Sequence, residues 1–157
     1  MSYITKINGV KVRSVSALRA VVAELKKEGV NCTLEQGGVP RMYYGDQFSK
    51  AGYGEQVDFT LKLSGRYDIG FCKETSGKNK GCYTAVFDSY GGDIARSVGS
   101  SADGRRTGGM SGNAADIGKL MQKYSKHLML QTAQSKGMTV QGMTTDANGQ
   151  LHLTVAS

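Results

Sequence analysis

The sequence predicts an α+β fold, with one antiparallel sheet of about six to eight strands and two helices packed on one face of it. Three observations support this fold. Short segments of alternating apolar and polar residues lie at the centre and at both ends of the chain, as expected for strands with one solvated face. Two longer segments carry apolar residues at helical spacing. The length of 157 residues suits a single domain, which we place at residues 1–157.

The chain begins with a strand pattern followed by a helix pattern. Residues 3–7 and 10–13 predict a short strand or hairpin with its turn at Asn8-Gly9. Ser14 or Ser16 is the expected N-cap of the helix that follows. The helix has one narrow apolar stripe, formed by Leu18, Val21, Val22 and Leu25. A helix with such a stripe is expected to lie on a sheet.

The central part of the chain predicts the main strands of the sheet. Residues 30–35 form a strand, and alternation over residues 57–63 predicts another with one wet face. Residues 67–72 and 82–87 pair as a hairpin centred on Gly77. The expected opposite pairs share one face, and they are Tyr67 with Phe87, Ile69 with Ala85, and Phe71 with Tyr83. The same register places Cys72 opposite Cys82, where a disulfide is geometrically conceivable, although a reducing cytoplasm favours free thiols.

The C-terminal part predicts a long helix and a closing hairpin. Asn113 is the expected N-cap, with Asp116 in the first turn and the helix end at Gly137. The core stripe of this helix consists of Ile117, Leu120, Met121, Tyr124 and Leu128. Residues 138–144 and 151–155 then form the closing hairpin.

Two glycine-rich segments, at about 36–56 and 89–112, predict long loops. The second carries Arg105 and Arg106 just before the long helix, and glycine-rich backbone with arginines at a helix start suits anion binding. The pattern fails as a nucleotide-binding P-loop, because Met110 stands where lysine must reach the phosphates. A flexible loop without a ligand is the simpler interpretation.

The net charge of +7 favours an acidic partner such as nucleic acid, although solubility alone also accounts for a charge of this size. Lys119, Lys123 and Lys126 share one face of the long helix, which can follow a phosphate backbone or can be an ordinary solvated face. The other candidates combine a cation with stacking surfaces, and they are Arg41, Tyr43 and Tyr44. These tyrosines can equally anchor a long loop to the sheet.

Near its end the long helix is apolar almost all round, at Leu128, Met129 and Leu130. A helix that is apolar all round is buried, here either under the closing hairpin or against another subunit. We favour a subunit contact, because symmetric homo-oligomers are common.

The sequence offers little for an enzyme. Three cysteines form no CxxC pair, and His127 and His152 are the only histidines, so we expect no metal site and no cofactor. No nucleophile, base and orienting group can be assembled from neighbouring elements. The N-terminus lacks a signal-peptide pattern, and no apolar run approaches the roughly 20 residues that cross a bilayer. We therefore expect a cytoplasmic protein without a membrane partner.

Several short motifs resemble a family of uncharacterised proteins from cyanobacteria, plastid genomes and cyanobacterial phages, whose plastid members are called hypothetical chloroplast open reading frame thirty-five. The motifs are Met1-Ser2-Tyr3, Leu25 to Val30, Tyr67-Asp68-Ile69-Gly70-Phe71, Gly81-Cys82-Tyr83, Gln122-Lys123-Tyr124 and Asn148-Gly149. After Asp88 the family usually carries tryptophan, whereas this chain has Ser89-Tyr90-Gly91-Gly92. The resemblance implies a fold and a phage or cyanobacterial setting, which for a phage protein means the host cytoplasm, and it implies no activity.

Three function classes follow from the sequence. The first is a non-enzymatic binding or assembly module that self-associates. The second is a nucleic-acid-binding accessory protein, which the charge and the lysine face favour. The third is an enzyme or binder of a phosphorylated ligand that uses the glycine-rich loop.

Overall fold

The computed structural model describes residues 4–6, 11–42, 57–88, 92–99, 114–145 and 151–156. The strands are β1 (Ile4–Lys6), β2 (Cys32–Gln36), β3 (Phe59–Leu63), β4 (Ile69–Lys73), β5 (Tyr83–Asp88), β6 (Thr139–Thr145) and β7 (Leu151–Ala156). The helices are α1 (Val15–Lys27), α2 (Asp93–Val98) and α3 (Gly118–Ser135), and a 3₁₀ turn (Ala114–Ile117) leads into α3.

The main sheet has five antiparallel strands in the order β1-β5-β4-β3-β2. Strands β2 to β5 follow one another as a meander, and β1 pairs with the free side of β5. The α+β class is therefore confirmed. The single sheet of six to eight strands is wrong, because β6 and β7 form a separate two-stranded sheet. The 18-residue helix α3 carries the chain about 27 Å along its axis, and the final hairpin packs against that helix.

The hairpin of β4 and β5 has its predicted face but not its predicted register. Ile69 lies opposite Phe87 and Phe71 lies opposite Ala85, so the strands are shifted by two residues from the expected pairing. The turn extends from Glu74 to Cys82, whose backbone groups are hydrogen-bonded, and this moves the centre away from Gly77. A shift by two preserves the side-chain face. Cys72 consequently lies opposite Thr84, and all three cysteines are free.

One face of the main sheet carries the principal core. The buried stripe of α1 packs here as predicted, and Ile117, Leu120 and Tyr124 from the second predicted stripe are buried in the same cluster. Met121 and Leu128 are half-buried against it. Helix α2 adds buried side chains to this cluster, so helical residues from three helices cover the face.

Two hydroxyl groups accept backbone N–H groups at the start of α1. Ser14 is the N-cap, because its hydroxyl accepts the N–H of Ala17 at 3.0 Å. The hydroxyl of Tyr124 on α3 accepts the N–H groups of Arg13 and Ser14, at 2.7 and 3.1 Å. A buried side chain of α3 thus satisfies backbone donors in front of α1.

The long helix begins later than predicted. Its α-helical part starts at Gly118, and Asp116 lies in the 3₁₀ turn before it. The predicted cap Asn113 lies outside the described residues. The helix ends at Ser135, and Gly137 follows with a φ of 71°, which confirms the predicted stop.

Helix α2 occupies part of the second predicted glycine-rich loop. Its buried residues are Ile94, Ala95 and Val98, which is a helical spacing. Asp93 ties its first turn to the chain between β3 and β4, because its Oδ2 atom accepts the N–H groups of Arg66 and Tyr67 at 2.7 and 3.2 Å. Packing and these hydrogen bonds stabilise a helix where glycine content alone predicted a loop.

Candidate interaction surfaces

The predicted lysine face of α3 lies against α1. Lys123 contacts Glu28 at 2.8 Å and Glu24 at 3.5 Å, and Lys126 donates a hydrogen bond to Glu24. Lys119 lies 3.9 Å from Glu28. Glutamates of the neighbouring helix therefore face the row that was a candidate for following a phosphate backbone. We refer to Glu24, Glu28, Lys119, Lys123 and Lys126 as the α1–α3 clasp.

The clasp changes the proton affinity of its members. Burial raises the pKa of Glu24, but the hydrogen bond from Lys126 and the charges of Lys126, Lys123 and His127 outweigh it, so the pKa lies below its ordinary value of 4.5. Burial lowers the pKa of Lys123, but the contacts with Glu28 and Glu24 outweigh it, so the pKa is raised. Both groups are therefore held in their charged forms near neutral pH.

His127 also faces the clasp. Its Nε2 atom lies 3.4 Å from Oε2 of Glu24, and within the described residues neither of these two buried atoms has a hydrogen-bond partner. A protonated imidazole would pair with this carboxylate.

Arg41, a predicted nucleic-acid contact, takes part in a structural network. Its Nε and Nη2 atoms donate to the fully buried carboxylate of Asp68, both at 2.9 Å, and Nη2 also donates to the carbonyl of Leu63 at 2.7 Å. The hydrogen bond to Asp68 is the main reason that the pKa of Arg41 is raised. The guanidinium thus links Leu63 at the end of β3 to Asp68 just before β4. The other candidates of this kind lie outside the described residues, and they are Tyr43, Tyr44, Arg105 and Arg106.

The predicted apolar end of α3 forms a groove with the closing hairpin. Leu128, Met129 and Leu130 are all half-buried. A groove of about 380 Å³ opens between this part of α3 and the hairpin. Its lining residues are Leu128, Met129, Thr132, Ala133, Lys136, Met138 and Val155. We name this the α3–hairpin surface. Leu130 is close in sequence but does not line the groove.

Sequence reasoning missed two lining residues, Met138 just before β6 and Val155 in β7. Val155 keeps 38% of its surface exposed, and among the described residues only Val39 is a more exposed large apolar side chain. The signal was present in the alternation of the last strand, but alternation alone does not show which element the apolar face meets. A β-bulge between Val140 and Gly142 also changes the pairing of this hairpin.

A polar cluster on the other face of the main sheet joins Lys11, Glu74 and Thr84, and the side chains of Lys11 and Glu74 are 10% and 28% exposed. The Thr84 hydroxyl lies 2.5 Å from Oε1 of Glu74, and Lys11 donates to that hydroxyl at 2.8 Å. Thr84 is only 1% exposed, so a substrate cannot reach its oxygen. The three side chains form one hydrogen-bonded group. Across the described ranges, no three His, Cys, Asp or Glu side chains are placed to hold a metal ion.

Within the part of the chain that the structure describes, no helix combines the length and the apolar character needed to cross a membrane. No protein-family model matches this chain, and comparison with curated proteins and with solved structures gives no match.

Proposed function

We propose that this protein is a non-enzymatic binding or assembly module that self-associates through the α3–hairpin surface. The observation that carries the proposal is the open apolar groove between α3 and the separate hairpin, with Val155 exposed at its side. A mostly apolar groove is one kind of surface at which a protein contacts a partner or a ligand.

The hairpin gives a second reason for a partner. An isolated two-stranded sheet is marginally stable in water, and this one has only α3 as a described neighbour with several contacts. In the described part of the chain, neither outer edge of β6 or β7 pairs with another strand. A second copy would bring the same edge and the same groove, as a two-fold symmetric interface requires.

A nucleic-acid-binding role has less support from the described residues. The clasp places Glu24 and Glu28 against the three lysines, and Arg41 forms an ion pair with Asp68. Contacts with phosphates would have to compete with these intramolecular pairs. The phage or cyanobacterial setting remains a prediction from the resemblance.

Two exposed valines provide the test. Val155 lies on the proposed surface, and Val39 is 49% exposed in the segment after β2. Sedimentation equilibrium and multi-angle light scattering should show a dimer or larger oligomer of the wild type below about 100 μM, the range of specific weak association. We expect Val155→Glu to be monomeric, because a carboxylate would be buried in the interface, and Val39→Glu to match the wild type.

The proposal would be wrong if the wild type is monomeric at that concentration. It would also be wrong if both variants assemble as the wild type does. Thermal unfolding of each variant shows whether the fold itself is intact.

A further inference from the structure

A second groove lies between α1 and the outer edge of the main sheet, remote in sequence from the α3–hairpin surface. It has a volume of about 220 Å³. Its lining residues are Arg19, Val22, Ala23 and Lys26 of α1 with Thr33 and Leu34 of β2. Among the described strands β2 is an edge strand of the main sheet, so the groove has a helix on one side and an edge strand on the other. We name it the α1–β2 groove.

The outer edge of β2 has backbone groups available for a further strand. The N–H of Gly37 donates to the carbonyl of Asp58 at 2.7 Å, which shows the side on which this part of the chain bonds to β3. Along an antiparallel strand the backbone N–H and C=O groups of successive residues point to alternate sides. The N–H and C=O groups of Leu34 and Gln36 therefore point away from β3. No other described backbone segment is hydrogen-bonded to those two residues.

Cations lie at both ends of the groove. The guanidinium of Arg19 is 5.8 Å from the ring centroid of Phe59, whose residue is paired with Gln36, so Arg19 marks one end of β2. Lys26 acts on the thiol of Cys32 at the other end, where its charge opposes the rise in pKa that burial causes. Within the described residues neither cation has a carboxylate partner, in contrast to the lysines of the clasp.

We infer that the α1–β2 groove binds an extended acidic peptide segment of another protein by strand addition. The outward backbone groups of Leu34 and Gln36 pair with the peptide backbone, as in other domains that bind peptides between a terminal strand and a helix. Val22 and Leu34 provide an apolar centre between the two cations. The inference goes beyond self-association and uses no residue of the α3–hairpin surface.

The spacing of the two cations determines how far apart the acidic residues of the peptide should be. Arg19 and Lys26 are seven positions apart, about 10 Å along the helix axis. Side chains on one face of an extended peptide repeat about every 6.8 Å, so two acidic residues four positions apart span about 13.6 Å, within reach of two long cationic side chains. The expected pattern is acidic–x–apolar–x–acidic. Among the groove residues there is no aromatic side chain on which a nucleic-acid base could stack.

The test is an anisotropy titration with the fluorescein-labelled peptide SETVTES and the full chain. We expect saturable binding that is at least about tenfold tighter than that of SKTVTKS, which reverses the charges, and of SETVTES that is N-methylated at its three central residues, which removes their backbone donors and keeps every side chain. Equal binding of all three peptides, or no saturable binding of SETVTES, overturns the inference. Complete displacement of SETVTES by single-stranded DNA at physiological salt, at equal strand concentration, would assign the groove to nucleic acid and also overturns it.

Matched variants locate the site. Lys26 and Lys27 are neighbouring exposed lysines in the last turn of α1, but only Lys26 lines the groove. We expect Lys26→Glu to weaken SETVTES binding about tenfold, as loss of attraction adds to new repulsion, and Lys27→Glu to weaken it less than about twofold. Equal losses would mean that only the net charge matters and would overturn the inference.

Amide resonances and the monomeric variant separate this site from the self-association surface. On adding SETVTES, the amides of Leu34 and Gln36 should shift, and those of α3 and the hairpin should not. Val155→Glu should bind the peptide with the wild-type affinity even when it no longer assembles. Shifts confined to α3 and the hairpin would contradict the inference.

Discussion

Gly70 lies in β4 on the sheet face that the segment after β2 crosses. A Cβ atom at this position would lie 2.9 Å from Cγ1 of Val57 and 3.0 Å from Cγ of Pro40. These distances are shorter than carbon atoms tolerate in a packed core. The absence of a side chain at Gly70 therefore allows Pro40 to approach the sheet, next to the network of Arg41 and Asp68.

We expect Gly70→Ala to lower the free energy of unfolding by about 1–3 kcal/mol, because the new methyl group forces the crossing segment away from the sheet. Gly142 in β6 is the matched control, since a Cβ atom there would have no neighbour within 4 Å. Gly142→Ala should be neutral or slightly stabilising. Urea unfolding of both variants measures the difference, and equal effects would disprove the close approach at Gly70.

At the scale of elements, α1 and α3 are joined by charges as well as by their apolar stripes. Glu24 contacts Lys123 and Lys126 and lies near His127, so a single carboxylate of α1 meets two lysines and a histidine of α3. The side chain of Glu24 keeps 26% of its surface exposed, which limits the contribution of each pair. The several contacts to one carboxylate nevertheless fix how the two helices face each other.

The lowered pKa of Glu24 predicts how acid affects stability. Because the folded-state pKa is below the ordinary value of 4.5, the contribution of Glu24 is fully present above that pH and is lost as the pH falls through the folded-state value. Glu24→Gln should therefore be less stable than the wild type near neutral pH, and the difference should shrink below pH 4.5.

The comparison needs urea unfolding of both proteins over this pH range. Glu35→Gln is the control, because the pair of Glu35 with Lys62 is about half-exposed and should contribute less than about 0.5 kcal/mol. A difference between wild type and Glu24→Gln that stays constant down to the acid limit would contradict the assigned pKa direction.

On the scale of the whole molecule, the main sheet and the closing hairpin differ in how far their side chains are buried. Strands β3, β4 and β5 contribute side chains that are buried under the helices. In the hairpin, the described side chains are exposed or half-buried. Backbone hydrogen bonds with few buried neighbours open at low free energy. The hairpin should therefore be the less stable part of the described chain until a partner covers it.

Hydrogen exchange at two protein concentrations tests this difference. In dilute monomer, we expect the amides of β6 and β7 to exchange at least about tenfold faster than those of β3 to β5. At a concentration that favours assembly, protection of the hairpin should rise in the wild type and stay low in Val155→Glu. Equal protection of both sheets at the low concentration would contradict the expectation.

The sequence by itself determined the elements whose pattern is local. Alternation in the central strands and the stripe at Leu18 to Leu25 follow from the periods of strand and helix, so the fold class, the core face, the start of α1 and the end of α3 could be predicted. The two-residue period also explains why Ile69 and Phe87 were placed on the correct face in the wrong register.

Tertiary structure alone decided what each face meets. Helical spacing placed Lys119, Lys123 and Lys126 on one side of α3, but their partners on α1 lie about a hundred residues away in the chain, and no local pattern encodes that distance. The groove beside Val155 and the close approach at Gly70 are also formed by residues that are distant in the chain. Local periodicity specifies which residues share a face, whereas the partner of that face depends on how distant elements pack.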